Sequence, residues 1–221
     1  MIRVGGVVHA VPGEDTQYNG LYYPDGDSLT RHMAERLRVE PFYNGDKLAQ
    51  ALAKVKRFRV AVDCGAWVGA WSRALSKRFA TVYAFEANPH NARCVDKNTP
   101  GNVEVFNVAV GDRTGSLRLE NEGNGVGSTA SQTTGEVVPL FRIDDYGWTE
   151  IDYIKIHVNG MELKALRGAV KTIETNRPVL TVVLKPAIEQ FGDTAEAARK
   201  FLTELKYKPA GGERPYEIWL P

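Results

Sequence analysis

The stretch Val60-Ala-Val-Asp-Cys-Gly-Ala-Trp-Val-Gly-Ala-Trp-Ser72 decides the fold. Val60 to Val62 is a short apolar run behind a charged segment, the pattern of a strand buried on both faces. Asp63 ends that strand, Gly65 opens a tight turn, and Gly69 lets a helix pack close against it. Val68, Trp71, Ala74 or Leu75, and Phe79 then recur at helical spacing. Strand, glycine turn and helix in this order make the first βα unit of a nucleotide-binding α/β sheet.

The missing glycine narrows the ligand. A dinucleotide site needs G-x-G-x-x-G, whose middle glycine lets the backbone approach a pyrophosphate. Here the turn reads Gly65-Ala66-Trp67-Val68-Gly69, with a bulky residue in that middle place. This argues against a phosphate on the loop and against a nicotinamide-dependent oxidoreductase. It suits a nucleoside with an uncharged or zwitterionic arm, such as S-adenosylmethionine. Thr81 to Phe85 reads as the second strand and ends at Glu86. An acid roughly 20 residues after the first turn, at the tip of strand two, is where a ribose diol is held.

Working outward, Ile2 to Val11 is strand-like and Tyr18 to Asp27 is an aromatic, turn-rich loop. That loop either packs on the sheet or covers a substrate through Tyr22 and Tyr23. Helices are expected over Ser28 to Val39 and Asp46 to Lys56, with Leu48, Leu52 and Val55 inward. Residues 1–59 thus form an N-terminal extension packed on a core domain of residues 60–221. Asn88-Pro89 is a helix start, Asn as cap and Pro in the first turn, and the helix runs to about Asn98. Val103 to Val108 and Gly115 to Glu120 are extended. Residues 121–136 are rich in Gly, Ser and Thr and read as a long loop, and Gly123 to Gly135 within it is expected to be mobile and to close over the site. Val137 to Ile143, Tyr153 to Val158, Pro178 to Leu184 and Tyr216 to Leu220 read as further strands. One helix is expected with Leu163, Leu166, Val170 and Ile173 inward. Another opens at Asp193-Thr-Ala-Glu196, a capping box with Asp as the cap. Strands alternating with helices mean a mostly parallel sheet covered on both faces.

Composition excludes several classes. The 221 residues carry a net charge of +1, with Lys and Arg scattered, so nothing resembles a nucleic-acid footprint. Cys64 and Cys94 form no C-x-x-C, which suggests a reducing compartment without disulfides or a zinc site. No basic segment followed by an apolar stretch opens the chain, and no apolar run approaches membrane-spanning length. A cytoplasmic protein without membrane attachment is the expectation.

Four motifs in order, Val62-Asp-Cys-Gly-Ala-Trp-Val-Gly69, Ala84-Phe-Glu-Ala-Asn-Pro89, Asn107-Val-Ala-Val-Gly-Asp112 and Ile154-Lys-Ile-His-Val-Asn-Gly-Met-Glu-Leu-Lys-Ala-Leu-Arg-Gly-Ala169, resemble the FkbM-type S-adenosylmethionine-dependent methyltransferases. The resemblance covers roughly residues 58–206. It implies a class I methyltransferase, Rossmann-like, with a mostly parallel seven-stranded sheet and helices on both faces. It also implies a methyl donor, S-adenosylmethionine, bound at Asp63, Gly65, Gly69 and Glu86, with Ala66, Trp67, Ala87, Asn107 and Val108 on the same motifs. Named members methylate hydroxyl oxygens of sugars and secondary metabolites, so a small-molecule or sugar acceptor is implied. The chain departs from the family where Ile-Lys-Ile-Asp-Val-Glu-Gly becomes Ile154-Lys-Ile-His-Val-Asn-Gly160. It departs again at Lys185, where an acid is common.

Ligands of open α/β sheets lie at the carboxyl ends of the strands, where strand order reverses. Gly65 and His157 should therefore face one crevice. His157 is the candidate base or acceptor-orienting group, with an ordinary pKa suited to neutral pH and an ascending pH limb expected near roughly 6 to 7. Its other reading is a residue that caps the strand end. Asn159 can donate and accept but not deprotonate, so it is assigned orientation. With both family acids gone, no metal is expected, because Mg²⁺ asks for carboxylates. Trp67 and Trp71, four apart on a helical pattern, read as core rather than as a cation–π wall. Two other readings remain: a fold that keeps donor binding but has lost acceptor chemistry, and methylation of a nucleic-acid ribose hydroxyl, which the charge balance does not favour.

Overall fold

The computed structural model describes residues 2–4, 7–9, 15–18, 20–24, 44–121, 128–131 and 134–221. The helix expected over Ser28 to Val39 lies outside them. In chain order the strands and helices begin with β1 (Ile2–Val4), β2 (Val7–His9), β3 (Asp15–Tyr18), β4 (Leu21–Pro24) and α1 (Gly45–Leu52). There follow β5 (Val60–Cys64), α2 (Ala70–Leu75), β6 (Thr81–Phe85), α3 (Pro89–Asn98), β7 (Val103–Phe106), β8 (Ala109–Val110) and β9 (Gly115–Asn121). The chain continues through β10 (Ser128–Ser131), β11 (Glu136–Phe141), β12 (Ile151–Ile156), α4 (Glu162–Arg167), α5 (Val170–Asn176), β13 (Val179–Val183), α6 (Ala195–Glu204), β14 (Lys208–Pro209) and β15 (Tyr216–Leu220).

The main sheet runs β14-β15-β13-β12-β5-β6-β7-β1-β2. Seven of these strands, β14 to β7, are the expected mostly parallel sheet; β1 and β2 extend it at one edge to nine. β15 is the strand that runs against its neighbours in the seven, antiparallel to both β13 and β14. Strand order reverses between β5 and β12, which pair in parallel with Asp63 beside Lys155 and Cys64 beside Ile156. Apart from the Asp63–Lys155 pair, the buried part of the two central strands is apolar because helices cover both faces: Val62, Ile154 and Ile156 pack with Leu163 and Leu166, while Ala61 and Tyr153 pack with Trp71 and Leu75. A second sheet, β10-β9-β11-β8, stands beside the carboxyl edge.

Several expectations are corrected locally. The segment 121–136 is not all loop, since Ser128–Ser131 pairs antiparallel with Arg118–Asn121; residues 122–127 and 132–133 lie outside the described part. The aromatic stretch after Tyr18 turns at Gly20 into a hairpin of β3 and β4. Its Asp15 carboxylate pairs with Arg93 and with Lys97 of α3, and Asn98 bonds to both the N–H and C=O of Tyr22. Tyr23 is fully buried, its ring 5.8 Å from that of Trp67. The hairpin is therefore packing, and neither Tyr22 nor Tyr23 borders the cavity described below.

The helix expected over Leu163 to Ile173 is two helices. The Gly168 carbonyl accepts from the Asp144 N–H, and the Asp144 carboxylate accepts from the Lys171 and Thr172 N–H groups, capping α5 from outside. Thr194, not Asp193, caps α6, accepting from the Ala197 N–H at 3.0 Å. Asp193 instead pairs with Lys164 and Arg167.

Candidate active site

At the carboxyl ends of β5, β6, β12 and β13 a cavity encloses about 1080 Å³ of atom-free space, counted out to its mouth. One wall is the turn after β5. Gly65 has φ +81°, and a Cβ there would fall on the His157 carbonyl oxygen. Only glycine lets the two central strand ends come this close. Gly69, φ +86°, ends the turn, and a Cβ there would lie 3.2 Å from the Val95 Cα of α3. The Gly65 and Ala66 N–H groups both donate to the Phe85 carbonyl, which ties the turn to β6. Trp67 has φ +53°, a left-handed conformation uncommon for a bulky residue.

Glu86 holds that conformation in place. One carboxylate oxygen accepts from the Trp67 N–H at 2.8 Å and the other from the Asn88 N–H at 2.9 Å. Burial pushes the carboxyl up to about 7, against the lowering pull of those two N–H groups and of Lys155. Each carboxylate oxygen still has a lone-pair site to offer, and Glu86 borders the cavity. Asn107 sits behind it and donates to the Glu86 and Ala87 carbonyls at 2.9 and 3.0 Å, which fixes the loop after β6.

Asp63 is placed differently from the sequence expectation. It is wholly buried, its Oδ1 2.6 Å from Lys155 Nζ and its Oδ2 accepting from Ser72 Oγ at 2.6 Å. Lys155 Nζ also donates to the Gly65 carbonyl at 2.8 Å and lies 5.5 Å from the centre of the Trp71 ring. Asp63 is thus an internal anchor, pinning the turn to β12 through Lys155, and it does not border the cavity. Gly69 and Asn107 do not border it either, the first facing α3 and the second buried under the Glu86 loop. Gly65, Ala66, Trp67, Glu86, Ala87, Val108, His157 and Asn159 do.

The opposite wall is the loop after β12. Glu162, buried in the first turn of α4, accepts from the Val158 N–H at 3.1 Å and the Gly160 N–H at 3.0 Å. This grip presents His157 and Asn159 to the cavity, Asn159 with φ +45°. His157 Nε2 is buried and has no hydrogen-bond partner among the described residues. Burial, then the charges of Lys155 and Lys185, hold its pKa well below the ordinary histidine value. The expected pH limb near 6 to 7 is therefore corrected downward: the imidazole is already neutral there.

Lys155 and Glu162 were not read as site residues. A lysine inside the apolar run Tyr153-Ile-Lys-Ile156 was the available signal, since a charge on a buried strand needs a partner. Glu162 gave none, because acids in a first helical turn are routine. Leu117, Leu119 and Met161, which add an apolar wall, come from β9 and the turn before α4. Among the described residues, no group of three or more His, Cys, Asp or Glu could hold a metal ion, and no helix is long and apolar enough to cross a membrane.

The methyltransferase FkbM domain model matches residues 63–209, two thirds of the chain. The chain belongs to the FkbM methyltransferase family. S-adenosylmethionine is the cofactor expected of it. Among solved structures, an FkbM methyltransferase from Methylobacillus flagellatus KT matches at 18% identity and a TM-score of 0.53, covering 74% of this chain and 44% of that one. This chain thus spans less than half the length of that relative. A SAM-dependent methyltransferase from Aquifex aeolicus matches at 14% identity and a TM-score of 0.50, covering 87% and 96%. Both are similar in fold. No curated protein matches the chain.

Proposed function

We propose that this FkbM-family protein transfers a methyl group from S-adenosylmethionine to a hydroxyl oxygen of a small molecule or sugar. The donor residues present fit the cofactor. Glu86 has carboxylate lone pairs at the cavity wall for a ribose diol, and Ala87 and Val108 offer apolar surface for a base. The Gly65-Ala66-Trp67 turn carries no glycine at its middle position, and the cation beside it, Lys155, is already paired with Asp63. Asp63 and Asn107 support this wall from beneath, and Gly69 sets the distance between turn and α3.

The observation that motivates transfer to oxygen is His157, a residue that borders the cavity and whose Nε2 is buried with no hydrogen-bond partner among the described residues. A neutral imidazole can accept a hydrogen bond from a hydroxyl, orient its lone pair and take its proton as the bond to carbon forms. Asn159 beside it orients the same group. Bound cofactor supplies a methyl carbon on a sulfonium, and displacement at that carbon needs chiefly alignment. We expect no metal here, because Glu86 is the one carboxylate among the described lining residues and Mg²⁺ takes several oxygen ligands.

The test is incubation with labelled donor and a panel of hydroxylated metabolites and sugars, comparing wild type with His157→Ala. Transfer by wild type that falls in the variant, with donor affinity kept, supports the reading. Donor binding without transfer to any acceptor favours a catalytically degenerate module, and transfer to RNA alone favours a ribose hydroxyl.

A further inference from the structure

The cavity's charge balance is incomplete. Besides the Tyr216 phenol, four side chains that can carry charge near neutral pH line it: Glu86, Lys155, His157 and Lys185. Lys155 is committed to Asp63, Glu86 is bridged by the Trp67 and Asn88 N–H groups, and burial disfavours the charged form of His157. Lys185 remains. It follows β13 directly and is half-buried, yet its ammonium makes no hydrogen bond or ion pair among the described residues. The nearby acid that favours its charge is Glu162, whose two oxygens are taken by the Val158 and Gly160 N–H groups. Burial accordingly lowers the Lys185 pKa, a cost that a bound anion would remove.

A partly desolvated cation with no partner selects for an opposite charge, and against ligands that leave it unpaired. Leu117, Leu119, Val110 and Met161 add apolar surface to the same cavity. Taking the proposed transfer to oxygen as given, we infer that Lys185 is a specificity residue for an anionic acceptor: a hydroxylated molecule with an apolar body whose carboxylate or phosphate pairs with Lys185 while its hydroxyl reaches His157.

The experiment uses matched acceptors in three sets: hydroxylated carboxylates, hydroxylated phosphate monoesters, and the neutral methyl esters or amides of the same carboxylates. Calorimetry with S-adenosylhomocysteine is run beside it on every variant. Wild type should favour one anionic set over the neutral set by about tenfold or more in kcat/KM, the scale of one charge contact, expressed in KM. Which anionic set wins distinguishes carboxylate from phosphate. Lys185→Met should erase the preference by raising KM for the anionic set, with kcat and S-adenosylhomocysteine affinity kept, and Lys185→Arg should restore it. Equal or better use of neutral acceptors, or transfer to none of the sets with S-adenosylhomocysteine bound, overturns the inference. So does a tenfold loss of S-adenosylhomocysteine affinity in Lys185→Met, which would put the lysine on the donor. Failure of wild type to bind S-adenosylhomocysteine at all strikes the proposed function itself, and the inference with it.

Discussion

The two walls of the cavity are built on opposite principles. On the wall from β5 and β6 the anchoring groups are paired: Asp63 has Lys155 and Ser72, Glu86 has two N–H groups, and Asn107 has two carbonyls. The wall from β12 and β13 is unfinished, with His157 Nε2 and the Lys185 ammonium lacking partners among the described residues. A finished wall is a rigid template for a ligand that is the same throughout a family. An unfinished one carries buried polar groups that only the right acceptor satisfies, and that is how a site discriminates.

The sharpest way to break this contrast is to remove one partner from the finished wall. Lys155→Met leaves Asp63 buried and uncompensated, so stability in urea unfolding should fall by about 3–5 kcal/mol. A loss under 1 kcal/mol would mean that the pair does not anchor the turn. On the unfinished wall the equivalent change acts on rate. His157→Ala should lower turnover by about 10²-fold, the low end for a proton acceptor because its pKa is depressed, while donor affinity stays within about 0.5 kcal/mol. A drop in donor affinity matching the drop in rate would join the two walls into one.

Glu86 lies between these cases, being both internally bonded and turned to the cavity. Glu86→Gln should weaken S-adenosylhomocysteine by about 1–3 kcal/mol, the cost of a lost charged hydrogen bond. Because its carboxyl titrates near 7 and hydroxyl donors favour the ionised form, wild-type affinity should be tighter at pH 8 than at pH 6. Affinity independent of pH over that range counts against the ribose contact. The smallest effect concerns His157. Its folded pKa is lowered, so the neutral form that accepts the hydroxyl proton persists above that pKa and is lost only below it. The wild-type kcat profile should therefore lack an ascending limb between pH 6 and 7, and a limb there would restore an ordinary histidine. EDTA should leave turnover unchanged.

The same contrast explains what the sequence revealed. The β5 strand, its glycine turn, α2 and Glu86 were legible because local rules dictate them: apolar runs, positive φ at Gly65 and Gly69, and an acid at a strand tip. The role of Asp63 was not, because its partner Lys155 lies 92 residues away and only sheet register brings them together. The break between α4 and α5 was hidden for the same reason, since Asp144 reaches it from the far side of β12. Ser128–Ser131 looked like loop because Thr129 is its one strand-forming residue, set among Ser, Ala and nearby glycines; pairing with β9 makes the strand. The environment of His157 was equally non-local, set by burial and by two lysines, Lys155 on β12 and Lys185 just beyond β13.

The account stands on the cavity being a methyl-donor site framed by Gly65 and Glu86. Calorimetric titration of S-adenosylhomocysteine and NAD into wild type and Glu86→Gln tests that claim most directly. The account predicts saturable one-to-one binding of S-adenosylhomocysteine, weakened in the variant, and weak or no binding of NAD. Tighter binding of NAD, or S-adenosylhomocysteine affinity identical in the two proteins, would contradict it.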